Sequence, residues 1–166
     1  NTGGSKLSEQ EVRNSVLVML NQAFYAWLSD LAVQSVFSEM VQLTDNQKKQ
    51  QDHIEIALRF IAYRRHPYER GLDVNEYLDV AARHLARLSE KDLDEELELF
   101  NWTFHNLREA EGVEVFKRWD GSRHTGGFLI SAFDAIAYGV AENRPAIEGM
   151  SPSDRNAWLS QKIRAL

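Results

Sequence analysis

Paired start signals, each followed by apolar residues at helical spacing, constrain this chain most. Ser8 with Glu11, Asp73 with Glu76 and Ser89 with Asp92 each place a capping side chain three residues ahead of an acidic one. Each side chain of such a box satisfies a backbone N–H that the first helical turn leaves bare. Behind Ser8 come Val12, Val16, Leu17 and Leu20, which predicts a helix over Glu9–Asn21 with those residues against the core. Behind Asp73 the series Val74, Tyr77, Leu78, Ala81, Ala82, Leu85 and Leu88 gives the cleanest amphipathic pattern in the chain. Behind Ser89, Leu93, Leu97, Phe100, Phe104 and Leu107 step by four and three, a seam suited to lying along a neighbouring helix in a bundle.

The remaining segments read the same way. Phe24 to Phe37 carries Phe24, Trp27, Leu28, Leu31 and Ala32 on one face and continues as a short helix through Val41. Leu43 to Gln51 is polar and reads as a loop or a frayed helix start. Gln51 to Arg65 has Ile54, Ala57, Leu58 and Ile61 in register and ends before His66-Pro67, because proline disfavours helical geometry in the residue before it. Gly112 closes the seam helix, Val113 to Lys117 is a short turn, and the polar, glycine-rich Trp119–Gly127 is the longest loop. Leu129 to Glu142 is helical and apolar. Ser151-Pro152 supplies an N-cap with proline at the first helical position, opening a last helix with Trp158, Leu159, Ile163 and Leu166. No strand alternation and no internal repeat stand out. The expected fold is all-α, an irregular bundle of roughly six to eight helices.

Its 166 residues suit one domain on the prior of roughly 100–200 residues each, with a tail at 144–166 read as a C-terminal helical extension. With no cysteine, disulfides, thiolate metal sites and a cysteine nucleophile are excluded. No apolar run approaches the ~18 residues of a membrane span and no signal peptide opens the chain, so a cytoplasmic protein without a membrane partner is expected. The first residue is Asn, not Met, and residues 1–7 open on a turn-forming stretch, which reads as a junction loop within a longer chain.

Candidate sites are few. Asn1-Thr2-Gly3-Gly4-Ser5-Lys6 leads into a capped helix, and such a glycine turn can aim N–H groups at an anion, although the spacing of a phosphate loop is absent and a simple turn is the plainer reading. The five histidines stand singly, with no i, i+4 pair for a metal, so no metal site is expected. The net charge of −6 hides an acidic stretch from Glu90 to Glu111 and an arginine-rich one. Within the latter, Arg64, Arg65, Arg83 and Arg87 form a basic patch able to meet phosphate, or equally to pair with the acidic helix that follows. Loop residues Asp120, Arg123 and His124 have the chemistry of a site but no nucleophile–base spacing.

The opening Asn1-Thr2-Gly3-Gly4, Leu7-Ser8 and Gln10-Glu11-Val12-Arg13-Asn14 resembles a motif of the large prokaryotic family typified by the GmrS half of GmrSD-type restriction enzymes, where R-x-N-T-G-G-x-x-L-S-x-Q-E-[IV]-R-N follows a ParB-like domain. Ile54–Ala62 is similar to that family's L-R-F-L-A helix, Leu72–Leu78 to its L-x-E-F-L helix and Phe133-Asp134-Ala135-Ile136 to its late F-D-A helix, so the resemblance spans Asn1 to Asn143. It implies the helical portion of a prokaryotic defence protein, packed on a ParB-like domain and completing a module that responds to DNA or to a nucleoside triphosphate. The family's D-G-Q-Q-R motif and H-N-H-type nuclease are missing here, and Asp120-Gly121-Ser122-Arg123 is a lookalike in the wrong place. Carried over on the motif, Asn1, Thr2, Gly3, Gly4, Glu11, Arg13 and Asn14 face the neighbouring domain or its ligand. The rival expectation is a helical interaction or oligomerisation module without catalytic activity.

Overall fold

In the computed structural model, which describes residues 6–166, the chain is mostly helical. In order the elements are α1 (Glu9–Leu20), α2 (Gln22–Val33), α3 (Ser35–Ser38), α4 (Asp45–Lys49), α5 (Asp52–Arg65), α6 (Val74–Leu85), α7 (Glu90–Glu111), β1 (Arg118–Trp119), β2 (His124–Thr125), α8 (Ile130–Glu142), α9 (Arg144–Glu148) and α10 (Pro152–Ile163). Two helices organise the rest. α5 packs against α2, α4, α6 and α8, while α7 packs against α3, α8 and α10. Phenylalanines fill the space between them. Phe37 meets Phe104 edge-on at 5.0 Å, Phe104 stacks on Phe133 at 5.9 Å, and Phe60 meets Phe100 edge-on at 5.6 Å. All are buried, and each contributes roughly 2 kcal/mol of apolar burial before entropy is counted.

The three capping boxes read from the sequence are all formed, at Ser8, Asp73 and Ser89. Corrections concern the short elements. The ten helices of the described residues exceed the expected range. Gln34, extended at φ −59°, ψ 134°, splits α3 from α2. The polar stretch after Leu43 folds as α4 because Thr44 and Gln47 make a fourth capping box there; with no buried residue, this turn has no apolar period to read. α9 is one more turn, fixed by buried Ile147.

The expected loop at Trp119–Gly127 contains a hairpin, Arg118 paired with Thr125 and Trp119 with His124. Its turn is held by Asp120, whose Oδ1 accepts from the N–H groups of Ser122 and Arg123, both at 2.9 Å, while Gly121 takes φ 101°. Those bonds drive the Asp120 carboxyl down to about 2.

α1 is turned the other way from the expectation. Of the four apolar residues expected inside, only Leu17 is buried; Val12 and Leu20 are 48% and 54% exposed. The inward stripe is Gln10, Arg13, Asn14 and Leu17, an i, i+3, i+4, i+7 face that is mostly polar. The reason is electrostatic. α5 and α6 turn Glu55 and Asp79 toward α1, and with this face inward Arg13, almost wholly buried, pairs with both.

Candidate functional site

The inward face of α1 begins a chain of ion pairs that runs through the molecule. Arg13, 3% exposed, donates from Nε to Asp79 Oδ1 at 2.7 Å and from Nη1 to Glu55 Oε2 at 2.8 Å, and its Nη2 reaches the Asn75 carbonyl at 3.3 Å. The other oxygen of Glu55 lies 3.6 Å from Arg59 Nη1, one turn along α5. Arg59 in turn grips Asp134 of α8 with two prongs, Nε to Oδ1 at 3.1 Å and Nη2 to Oδ2 at 2.5 Å. Its guanidinium also sits 5.7 Å from the ring centre of Tyr63. Burial works against the charge of Arg59, but the hydrogen bond and charge of Asp134 outweigh it and hold the pKa above the ordinary value. Burial raises the Tyr63 phenol as well.

This chain of contacts ties α1, α6, α5 and α8 together. It also joins residues from the opening motif (Arg13), the helix over Ile54–Ala62 (Glu55, Arg59) and the helix after Leu129 (Asp134), which are far apart in sequence. Two guanidinium groups meet three carboxylates, so the cluster carries an excess of negative charge and repels a phosphate. Neither a family model, nor a curated protein, nor a solved structure matches this chain significantly.

The other motif residues divide. Glu11 serves the helix start, its Oε2 accepting from the Ser8 N–H at 2.7 Å. Asn14 is buried and donates to Gln51 Oε1 at 3.4 Å. Gln51 also accepts from the Tyr25 hydroxyl at 3.2 Å and holds φ 63°, the one positive φ outside glycine among the described residues. Glu11, Asn14, Tyr25 and Gln51 line a cavity of about 300 Å³ that opens beside Leu7. Asn1, Thr2, Gly3 and Gly4 lie outside the described residues.

The arginines expected as one basic patch have two fates. Arg64 and Arg65 both clasp Glu96, which is 1% exposed: Arg64 Nη1 to Oε2 is 2.5 Å and Arg65 Nε to Oε1 is 2.6 Å. Arg65 adds Asp92 at 3.2 Å and Arg64 lies 3.3 Å from Glu142. These two cations are spent inside the fold, pairing with the acidic helix. Arg83 on α6 and Arg87 just past its end stay exposed, and neither forms an ion pair among the described residues; Arg83 borders a small cavity with Arg13 and Asp79.

His124, which the sequence offers as a loop residue with the chemistry of a site, has partners that local spacing does not reveal. His124 in β2 places Nε2 2.6 Å from Glu111 Oε2 and Nδ1 3.2 Å from the Lys117 carbonyl, so both ring nitrogens are engaged and neither is free to act as a base. Arg164 meets the same carboxylate at 3.0 Å and lies over the Trp119 ring at 4.5 Å. Burial alone would raise the Glu111 carboxyl, yet the hydrogen bonds it accepts, those of His124 and Arg164 among them, hold it below the ordinary range. The usable signal was a carboxylate one residue before the helix-ending Gly112. Only the fold brings the hairpin and the chain's end to it. Among the described residues no group of three or more His, Asp or Glu could hold a metal ion, and no helix is long and apolar enough to cross a membrane.

Proposed function

We propose that this chain is a helical scaffold that supports a DNA- or nucleoside-triphosphate-responsive module of the kind found in GmrSD-type defence proteins. The observation that carries the reading is the ion-pair chain Arg13–Glu55–Arg59–Asp134. The segments that resemble the family meet in it, and their charged side chains are spent on one another rather than turned toward a ligand. On this reading the motif residues Arg13 and Asn14 brace the helices, while Glu11 sits at the surface cavity where a neighbouring ParB-like domain would rest. The test is a titration with a fluorescent nucleoside triphosphate analogue and with duplex DNA. This chain alone binds neither, and a chain joined to a ParB-like domain binds one of them. A joined chain that binds nothing, or a lone chain that binds with full affinity, sinks the proposal.

A second reading, an interaction module that works without nucleotide, draws on one observation: α1 presents apolar residues outward, with Val12 48%, Met19 85% and Leu20 54% exposed, and Leu7 just ahead of its cap is 64% exposed. Concentration-dependent mass in light scattering, abolished by Met19→Lys, is its expected signature.

A further inference from the structure

α8 and α10 both lie on α7 and leave an apolar furrow between them. Two cavities, of about 480 Å³ and about 330 Å³, run into each other through the shared walls Ala135, Ile136, Ile163 and Leu166. Val115 and Leu129 line the first, Val140 and Leu159 the second. α8 supplies one bank along most of its 13 residues, a length of about 20 Å at the rise of a helix. That is room for about three to four turns of another helix.

Two features say what fits there. The first is charge. Lys117 and Arg118 line the first cavity and Lys162 the second, and no Asp or Glu side chain among the described residues lines either. Lys117 is satisfied by Glu114 at 2.7 Å, but Arg118 and Lys162 form no ion pair among the described residues. The second is Gly139, in the last turn of α8 and on the furrow wall. Glycine there weakens a helix, and a Cβ built on it meets nothing within 4 Å, so no contact inside the chain demands it. A bare backbone at that point lets another helix come close.

We infer that the α8–α10 furrow is the docking site for an acidic amphipathic helix of a partner protein. Its apolar face, spaced i, i+3/i+4, i+7, lies over Ala135, Ile136 and Ile163, crosses closely at Gly139, and places carboxylates against Arg118 and Lys162. The inference rests on the scaffold reading, since it names the surface through which a scaffold holds another component.

The probe is a panel of fluorescein-labelled amphipathic peptides of about fourteen residues, with glutamates at both ends, each matched by a lysine-ended twin. Binding is followed by anisotropy on the full chain. At least one acidic peptide is expected to bind saturably, about tenfold or more tighter than its twin, and to weaken as salt rises. The Gly139→Leu variant, whose side chain fills the furrow, and the Arg118→Glu/Lys162→Glu variant each lose about tenfold in affinity with unchanged helical circular dichroism and an undiminished urea midpoint. Equal binding by acidic and basic twins, no binding by any peptide, or binding untouched by Gly139→Leu overturns the inference. So does a dimer in light scattering that Gly139→Leu dissolves, which would give the furrow to a second copy. Nucleotide and DNA titrations on the same preparations report separately on the scaffold reading, so the two can fail independently.

Discussion

Arg59 and Asp134, 75 positions apart, form a two-pronged ion pair that fastens α5 to α8. Arg59 is nearly buried and Asp134 largely so, with side chains 9% and 21% exposed. Removing one partner strands the other charge. Asp134→Leu or Arg59→Met should each cost about 3 kcal/mol in urea unfolding, whereas the double replacement Arg59→Met/Asp134→Leu should recover much of it. Additive losses in that cycle would show that the pair is not coupled.

Glu96 offers the matching contrast. It lies between Arg64 and Arg65, so Glu96→Gln should destabilise by about 3 kcal/mol. Arg83→Glu on the exposed side of α6 and Arg87→Glu just past its end should each change stability by less than about 0.5 kcal/mol. Equal effects at the two places would contradict the division of the arginines into spent and exposed.

Tyr77 makes alkaline pH destabilising. Its hydroxyl oxygen lies 2.8 Å from the carbonyls of both Ala62 and His66, which share its one proton, and burial pushes its pKa up to about 12 from 10.0. The folded value is the higher one, so the unfolded chain loses this proton first. The contribution is therefore whole below pH 10.0 and shrinks as the pH rises toward about 12. Urea midpoints should fall across that window, and Tyr77→Phe, though less stable at neutral pH, should fall less steeply.

Acid acts on Glu111 in the opposite sense. Its folded pKa lies below the ordinary 4.5, so its contribution is present above that value and disappears as the pH falls through the folded value. Glu111→Gln should flatten the acid limb of the stability curve and loosen the hairpin, read as faster amide exchange at Trp119 and Thr125. An unchanged acid limb would remove Glu111 from the account.

Gly139→Ala should raise stability by about 0.5–1 kcal/mol, because alanine restores helix propensity where the added methyl meets empty space. A loss of stability would mean that the helix needs glycine for itself.

Much of the frame was legible locally. Ser8, Asp73 and Ser89 announce their helices because a cap and its box partner lie within one turn, and Phe100, Phe104 and Leu107 point to the core because the seam repeats along a single helix. Short turns such as α4 escaped because they bury nothing and leave no period. Gly139 reads in the sequence as one more residue of an apolar helix; its exposed bank becomes visible only when α10 is set opposite α8.

The sequence by itself determined which of the longer stretches become helices, and with them a mostly helical chain, since caps and periodicity act over a few residues. Tertiary structure alone decided which face of α1 turns inward and which arginines are spent. Val12 and Leu20 argued for one face, but Arg13 had to reach Glu55 and Asp79, and Arg64 and Arg65 had to reach Glu96. The physical reason is that helix propensity is local, whereas pairing a buried charge depends on which carboxylate the fold brings within a few ångströms.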